Sequence, residues 1–252
     1  MKPESTDSKA TQKSFFELAV AGKHRQVELS IPTEPIPLTG LLPLLQQVTD
    51  AVVSVGAEVA VDEGATISCR AGCGACCRQC VPVSDAEATR LNELVRAMPE
   101  LQRAKILTRF EAAMTRLRES DSRHLQRLLS DADGLTQQER ADVSIEYFRM
   151  GIPCPFLEDE SCSIHADRPL ACREYLVTSP AENCRQPMRD TIDLVTIPVK
   201  ISGVVRELEA EQTGTAAKWS PLIQAMERCE SLRNNAPLTF GPELADHFFQ
   251  IL

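Results

Sequence analysis

Several residue classes are scarce in this chain of 252 residues. Aromatic residues make up 4% of it and there are four histidines. No Ser-His-Asp order and no paired catalytic carboxylates stand out, so an ordinary hydrolase is not expected. No glycine-rich phosphate loop follows a clear strand, which argues against a nucleotide fold. Basic residues are outnumbered, with a formal net charge of -9. Nucleic acid and an anionic membrane surface both need a basic face, so neither is expected as a partner. No apolar run approaches the eighteen or more residues of a membrane span, and Met1 to Lys13 is polar, without the apolar segment of a signal peptide. The expected location is therefore the cytoplasm, where thiols stay reduced.

What the chain does have is cysteine, ten in all, and five of them fall in the twelve residues C-R-A-G-C-G-A-C-C-R-Q-C from Cys69 to Cys80. A scattered cysteine is a small apolar filler, but core packing does not place five in a dozen. In a reducing compartment such clustering means metal or redox chemistry. Gly72 and Gly74 suit a tight turn leading into a short helix, with thiols converging on one side. Cys76 and Cys77 are adjacent, so one can serve one metal and the next a second, or both can edge a multinuclear cluster.

A second block arrives far along the chain, from Gly151 to Cys184. Cys154 sits between prolines that hold the backbone extended. The acidic run Glu158-Asp159-Glu160 reads as a solvated turn that lets Cys154 and Cys162 meet across a small hairpin. Pro169 suits a first helical turn, with Cys172 near its start and Cys184 beyond a Ser-Pro turn.

Around these blocks the pattern is helical. Met1 to Lys13 reads as a disordered tail, followed by a short helix opening at Ser14-Phe15-Phe16-Glu17 and one strand over Gln26 to Ile31. Helices are expected over about Pro43 to Val55, with Gly56 past the end, and after the capping box Ser84-x-x-Glu87. Others follow over Glu100 to Arg118, with Leu107 among its apolar residues, and from the capping box at Thr136 to Met150. Glu119 to Gly134 reads as a mobile helix-loop. The remainder is a helical cap over Val199 to Glu211, from Ser220-Pro221 through Cys229, and at the C-terminus. The expected fold is mostly α, an irregular helical domain spanning residues 14–252. Its cysteine-lined metal site is formed by the two distant blocks, with at most a small β-hairpin.

C-R-A-G-C-G-A-C-C from Cys69, C-P-F-L from Cys154, C-S-I-H from Cys162, R-P-L-A-C-R from Arg168 and the later Cys184 resemble the YkgJ-type cysteine-cluster family of zinc- or iron-chelating proteins. By position the resemblance implies eight metal ligands: Cys69, Cys73, Cys76, Cys77, Cys154, Cys162, Cys172 and Cys184. Cys80 and Cys229 fall outside the pattern. Cys229 reads as a packing residue, while the helical angle of Cys80 faces the cluster. The implied cofactor is zinc or iron, with an iron–sulfur cluster among the options, and the metal ion is the implied partner.

Thiolates are soft ligands, which suits zinc or iron–sulfur over magnesium or calcium. Eight of them can fill two tetrahedral sites or two clusters, or one cluster with spare thiols. His165 is a further candidate ligand. Arg168 and Arg173 are candidates to offset thiolate charge, or Arg168 to bond carbonyls at a helix start. The family resemblance extends to enzymes that methylate flagellin lysines. The alternative to a metal-binding protein without catalysis is thus an iron–sulfur-dependent redox or group-transfer enzyme.

Overall fold

A computed structural model describes residues 10–20, 22–188, 191–232 and 236–252. It opens on a hairpin of β1 (Thr11–Val20) and β2 (Lys23–Pro32), paired antiparallel from Thr11↔Pro32 to Val20↔Lys23. This corrects the expected helix at Ser14 and extends the single strand expected over Gln26 to Ile31. Ser14, Phe16 and Leu18 face inward while Lys13, Phe15 and Glu17 face out, which is the two-residue period of a strand. Phe16 stacks on Phe249 with ring centroids 4.9 Å apart. Of the expected tail, Met1 to Lys9 lies outside the described residues, and Thr11 to Lys13 belongs to β1.

After β3 (Pro35–Ile36), α1 runs over Leu38–Asp62, longer at both ends than the expected helix. Pro43 lies inside it, at the loss of one backbone bond, while Leu38, Leu41 and Leu42 are all buried in the first turns. Gly56 does not end it. A Cβ there would meet the Thr196 carbonyl at 2.9 Å, so this glycine admits a neighbouring segment. The true stop is Gly64 at φ +91°, where Ala65 N–H returns to the Ala60 carbonyl. By length and composition α1 could cross a membrane, a longer apolar stretch than the sequence reading allowed. Here Leu41, Leu45, Val48, Val52 and Val55 are almost fully buried in the core.

Beyond the cysteine turn come β4 (Pro82–Val83), α2 (Asp85–Ala97) and α3 (Glu100–Arg118). Ser84 and Glu87 form the capping box of α2 as expected. On α3 Ile106 is buried, whereas Leu107 is 42% exposed, one position off the expected stripe. The stretch read as a mobile helix-loop contains α4 (Arg123–Ser130), capped by Ser122 and anchored by buried Leu125 and Leu128. The second capping box opens α5 (Gln137–Arg149). Then follow β5 (Leu157–Glu158), β6 (Ser161–Cys162), α6 (Leu170–Arg173) and α7 (Ile201–Thr213). β7 (Ser220–Pro221) pairs with β4, so the helix expected from Ser220 begins instead at α8 (Ala225–Ser231). β8 (Thr239–Phe240) pairs with β3, and α9 (Gly241–Ile251) closes the chain.

The fold is mostly α, and among the described residues β-structure is confined to small strand pairs. Among the described residues, three larger apolar groups build it, beside a small fourth around Ala75, Val177 and Cys184. α1, α7, α9 and the hairpin share one, α2, α3 and α8 a second, and the end of α3 with α4 and α5 a third. Cys154 and Cys162 pack against the second group and Cys80 against the third.

Candidate metal centre

The first block is a turn followed by a single 3₁₀ turn over Ala75–Arg78. Gly72 adopts φ +75°, a left-handed conformation that glycine tolerates without strain. Gly74 has a different task. A Cβ on it would meet Leu157 Cδ1 at 2.6 Å and the Glu160 carbonyl oxygen at 2.8 Å, so the β5–β6 turn rests directly on this backbone. That turn has Asp159 and Glu160 both at positive φ, which matches the right-handed twist of a tight two-residue hairpin. The expected small hairpin is present, with Leu157 opposite Cys162.

Two polar links hold the blocks together. Cys154 N–H donates to the Cys77 carbonyl at 2.7 Å. Arg78 donates to both carboxylate oxygens of Glu160, at 2.6 and 3.2 Å, and to the Gly74 carbonyl at 3.2 Å. On the other side Ser68 N–H bonds the Val177 carbonyl at 2.9 Å, and Val177 N–H reaches Cys69 Sγ at 3.4 Å. Gln79 donates to the Tyr175 hydroxyl at 2.8 Å. Cys172 rides on α6, whose Leu170 N–H is held by buried Glu87 at 2.9 Å.

These links enclose a cavity of about 400 Å³ lined by Cys69, Cys73, Cys76, Cys77, Cys154, Cys162, Cys172 and Cys184. All eight expected positions therefore face one space, although more than a hundred residues separate the first from the last. Cys80 lines it too, as its helical angle suggests, while Cys229 on α8 does not. All ten cysteines are free thiols. Among the described residues, no three cysteine, histidine or acidic side chains stand close enough to hold one metal ion together.

Burial disfavours the thiolate at several of these positions. Burial pushes Cys80 and Cys154 up to about 12 and Cys184 up to about 11, and it raises Cys69, Cys162 and Cys172. Cys76 is raised first by its hydrogen bond with Cys77 and then by burial. A bound metal reverses this balance, because a coordinating thiol is deprotonated outright.

The cationic groups divide their tasks. Arg173 is buried and donates to the Arg168 carbonyl at 3.0 Å, to the Ala166 carbonyl, and to Asp50 at 2.7 Å. It fulfils the role that sequence reasoning offered to Arg168. Arg168 Nε is buried with no hydrogen-bond partner, and its charge favours the thiolate forms of Cys69, Cys76 and Cys162. An unsatisfied buried N–H beside crowded thiols suits a site that gains negative charge when loaded. His165 also lines the cavity but is exposed, and Arg168 lowers its pKa.

By its donors this is a soft-metal site set in a helical protein. Residues 68–191 match the CxxCxxCC family, described as a "putative zinc- or iron-chelating domain", and this segment of the chain belongs to that family. No curated protein and no solved structure matches the chain.

Proposed function

We propose that this protein holds iron in thiolate-bound, iron–sulfur-type chemistry, with the eight family cysteines as the ligands. The supporting observation is that eight thiols from two distant blocks line one cavity of about 400 Å³. A single zinc ion takes four sulfurs at about 2.3 Å, so it would leave four of the eight thiols unused. A cluster carrying its own sulfide fills a larger volume with the same soft ligands. The free cysteines fit a reducing, cytoplasmic location.

The test is anaerobic purification followed by metal and acid-labile sulfide analysis. Iron with matching sulfide and a brown absorption spectrum supports the reading. A colourless chain carrying zinc and no sulfide defeats it. Cys229→Ser should leave the metal content unchanged, because Cys229 stands outside the cavity lining.

A second reading, a redox or group-transfer enzyme built on the same centre, draws support from one wall of the cavity. Val53, Ser54 and Ala57 of α1 line it without contributing a sulfur, which leaves room for a small molecule beside the metal. If a reduced, loaded protein shows no spectral change with any electron acceptor or methyl donor, the non-catalytic reading stands.

A further inference from the structure

We propose that the eight thiols form two four-sulfur centres side by side, not one centre with spare cysteines. Cys69, Cys73 and Cys184 belong to the first and Cys154, Cys162 and Cys172 to the second, with the adjacent Cys76 and Cys77 completing both. This rests on the thiolate–metal reading above and adds the number and membership of the centres.

Packing draws the division. Cys69, Cys73 and Cys184 share one small apolar group with Ala75, Val177 and Tyr175. Cys154 and Cys162 pack into a different group, with Phe156 and Ile164. The backbone agrees with this partition. Val177 N–H points at Cys69 Sγ, so the segment leading to Cys184 is pinned to the first trio. Leu157 pairs with Cys162, and the Cys154 carbonyl receives Leu157 N–H at 2.9 Å, so the hairpin pins the second.

The remaining contacts fall along the same line. Cys172 rides on α6, whose Leu170 N–H is held by Glu87 of α2, a helix of the second group. Ala75, next to Cys76, packs with Cys184 in the first group, while the Cys77 carbonyl accepts from Cys154 N–H of the second. The vicinal pair therefore stands at the junction. Three thiols on either side plus one from the pair makes four each, the number that a tetrahedral ion or a cubic cluster takes. Arg168, whose buried Nε has no hydrogen-bond partner, lines the cavity that both trios share and can offset their charge.

The experiment counts metal. The metal-free chain is titrated anaerobically with cobalt(II), following thiolate-to-cobalt absorption. The wild type should saturate at two equivalents, and saturation at one overturns the proposal without any variant being needed. Cys184→Ser and Cys172→Ser should each saturate at one. Their combination should bind none, whereas Cys73→Ser combined with Cys184→Ser should still bind one. Circular dichroism confirms that each variant is folded, with Cys229→Ser as the control. A folded single variant that loses all cobalt, or a folded pair from one trio that does, overturns the division. A wild type that takes up neither cobalt, zinc nor iron defeats the thiolate–metal reading itself.

Discussion

Gly74→Ala is the most direct probe of how the two cysteine blocks are held together. A Cβ there would stand 2.6 Å from Leu157 Cδ1, 2.8 Å from the Glu160 oxygen and 2.9 Å from the Glu160 carbonyl carbon. Leu157 can rotate away, but the Glu160 backbone cannot, so the hairpin must move by several tenths of an ångström. Overpacking of this kind costs about 1–3 kcal/mol. Gly74 sits at φ -94°, a region open to alanine, so reduced freedom of the unfolded chain gives back about 0.4–1 kcal/mol. The net loss should be about 1–2 kcal/mol, read by urea unfolding of the metal-free chain. Metal per chain should fall as well, because the displaced turn carries Cys162 away from Cys76. Gly214→Ala is the control. It ends α7 at φ +63° with open space around it, so it should cost about 1 kcal/mol of backbone strain and keep all the metal. The argument is refuted if Gly74→Ala binds and unfolds like the wild type, or if Gly214→Ala loses metal equally.

Three further outcomes are expected. Glu87→Ala strips the partner from Ser84 N–H and Leu170 N–H in a buried site, so stability should fall by about 2–4 kcal/mol, with metal loss at the centre that includes Cys172. Glu87→Gln, which keeps one acceptor, should fall between it and the wild type in urea unfolding. Burial, with Asp85 as a nearby like charge, pushes Glu209 from 4.5 up to about 7. Between those values the unfolded chain releases a proton that the folded chain keeps, so stability should decline as pH rises through the window, by up to about 3 kcal/mol. Glu209→Gln should flatten that decline in melting curves taken from pH 4.5 to 7.5. Removing metal with a chelator should lower the melting temperature, since native-state metal binding is folding free energy. An unchanged calorimetric trace after verified removal would count against any structural role for the centre.

The legible and illegible parts of this fold differ in kind. Both capping boxes and the span Glu100–Arg118 stand where local chemistry puts them, because a cap is settled within four residues of its own helix. The hairpin was hidden because adjacent Phe15 and Phe16 obscure the alternation that runs from Ser14 to Leu18. The pairing with β2 resolves it, burying Leu18 and leaving Phe15 exposed. α4 looked mobile because polar residues outnumber apolar ones, yet two leucines at a three-residue step suffice to anchor eight residues.

Glycine shows the boundary most sharply. Gly56 and Gly64 are both plausible helix stops by residue type. Only the approach of Thr196 reveals that the first admits a neighbour, and only a positive φ shows that the second ends the helix. Arg168 and Arg173 pose the same problem, since either could serve the carbonyls or the thiols, and the difference lies in what surrounds each one. Cysteine is different because thiol chemistry belongs to the residue itself, so clustering could mark the site before any contact was known. Spacing along the chain could not divide eight thiols between two places. The proposed division depends on Val177 pinning Cys69 and on the hairpin that holds Cys162, both of them contacts the sequence does not show.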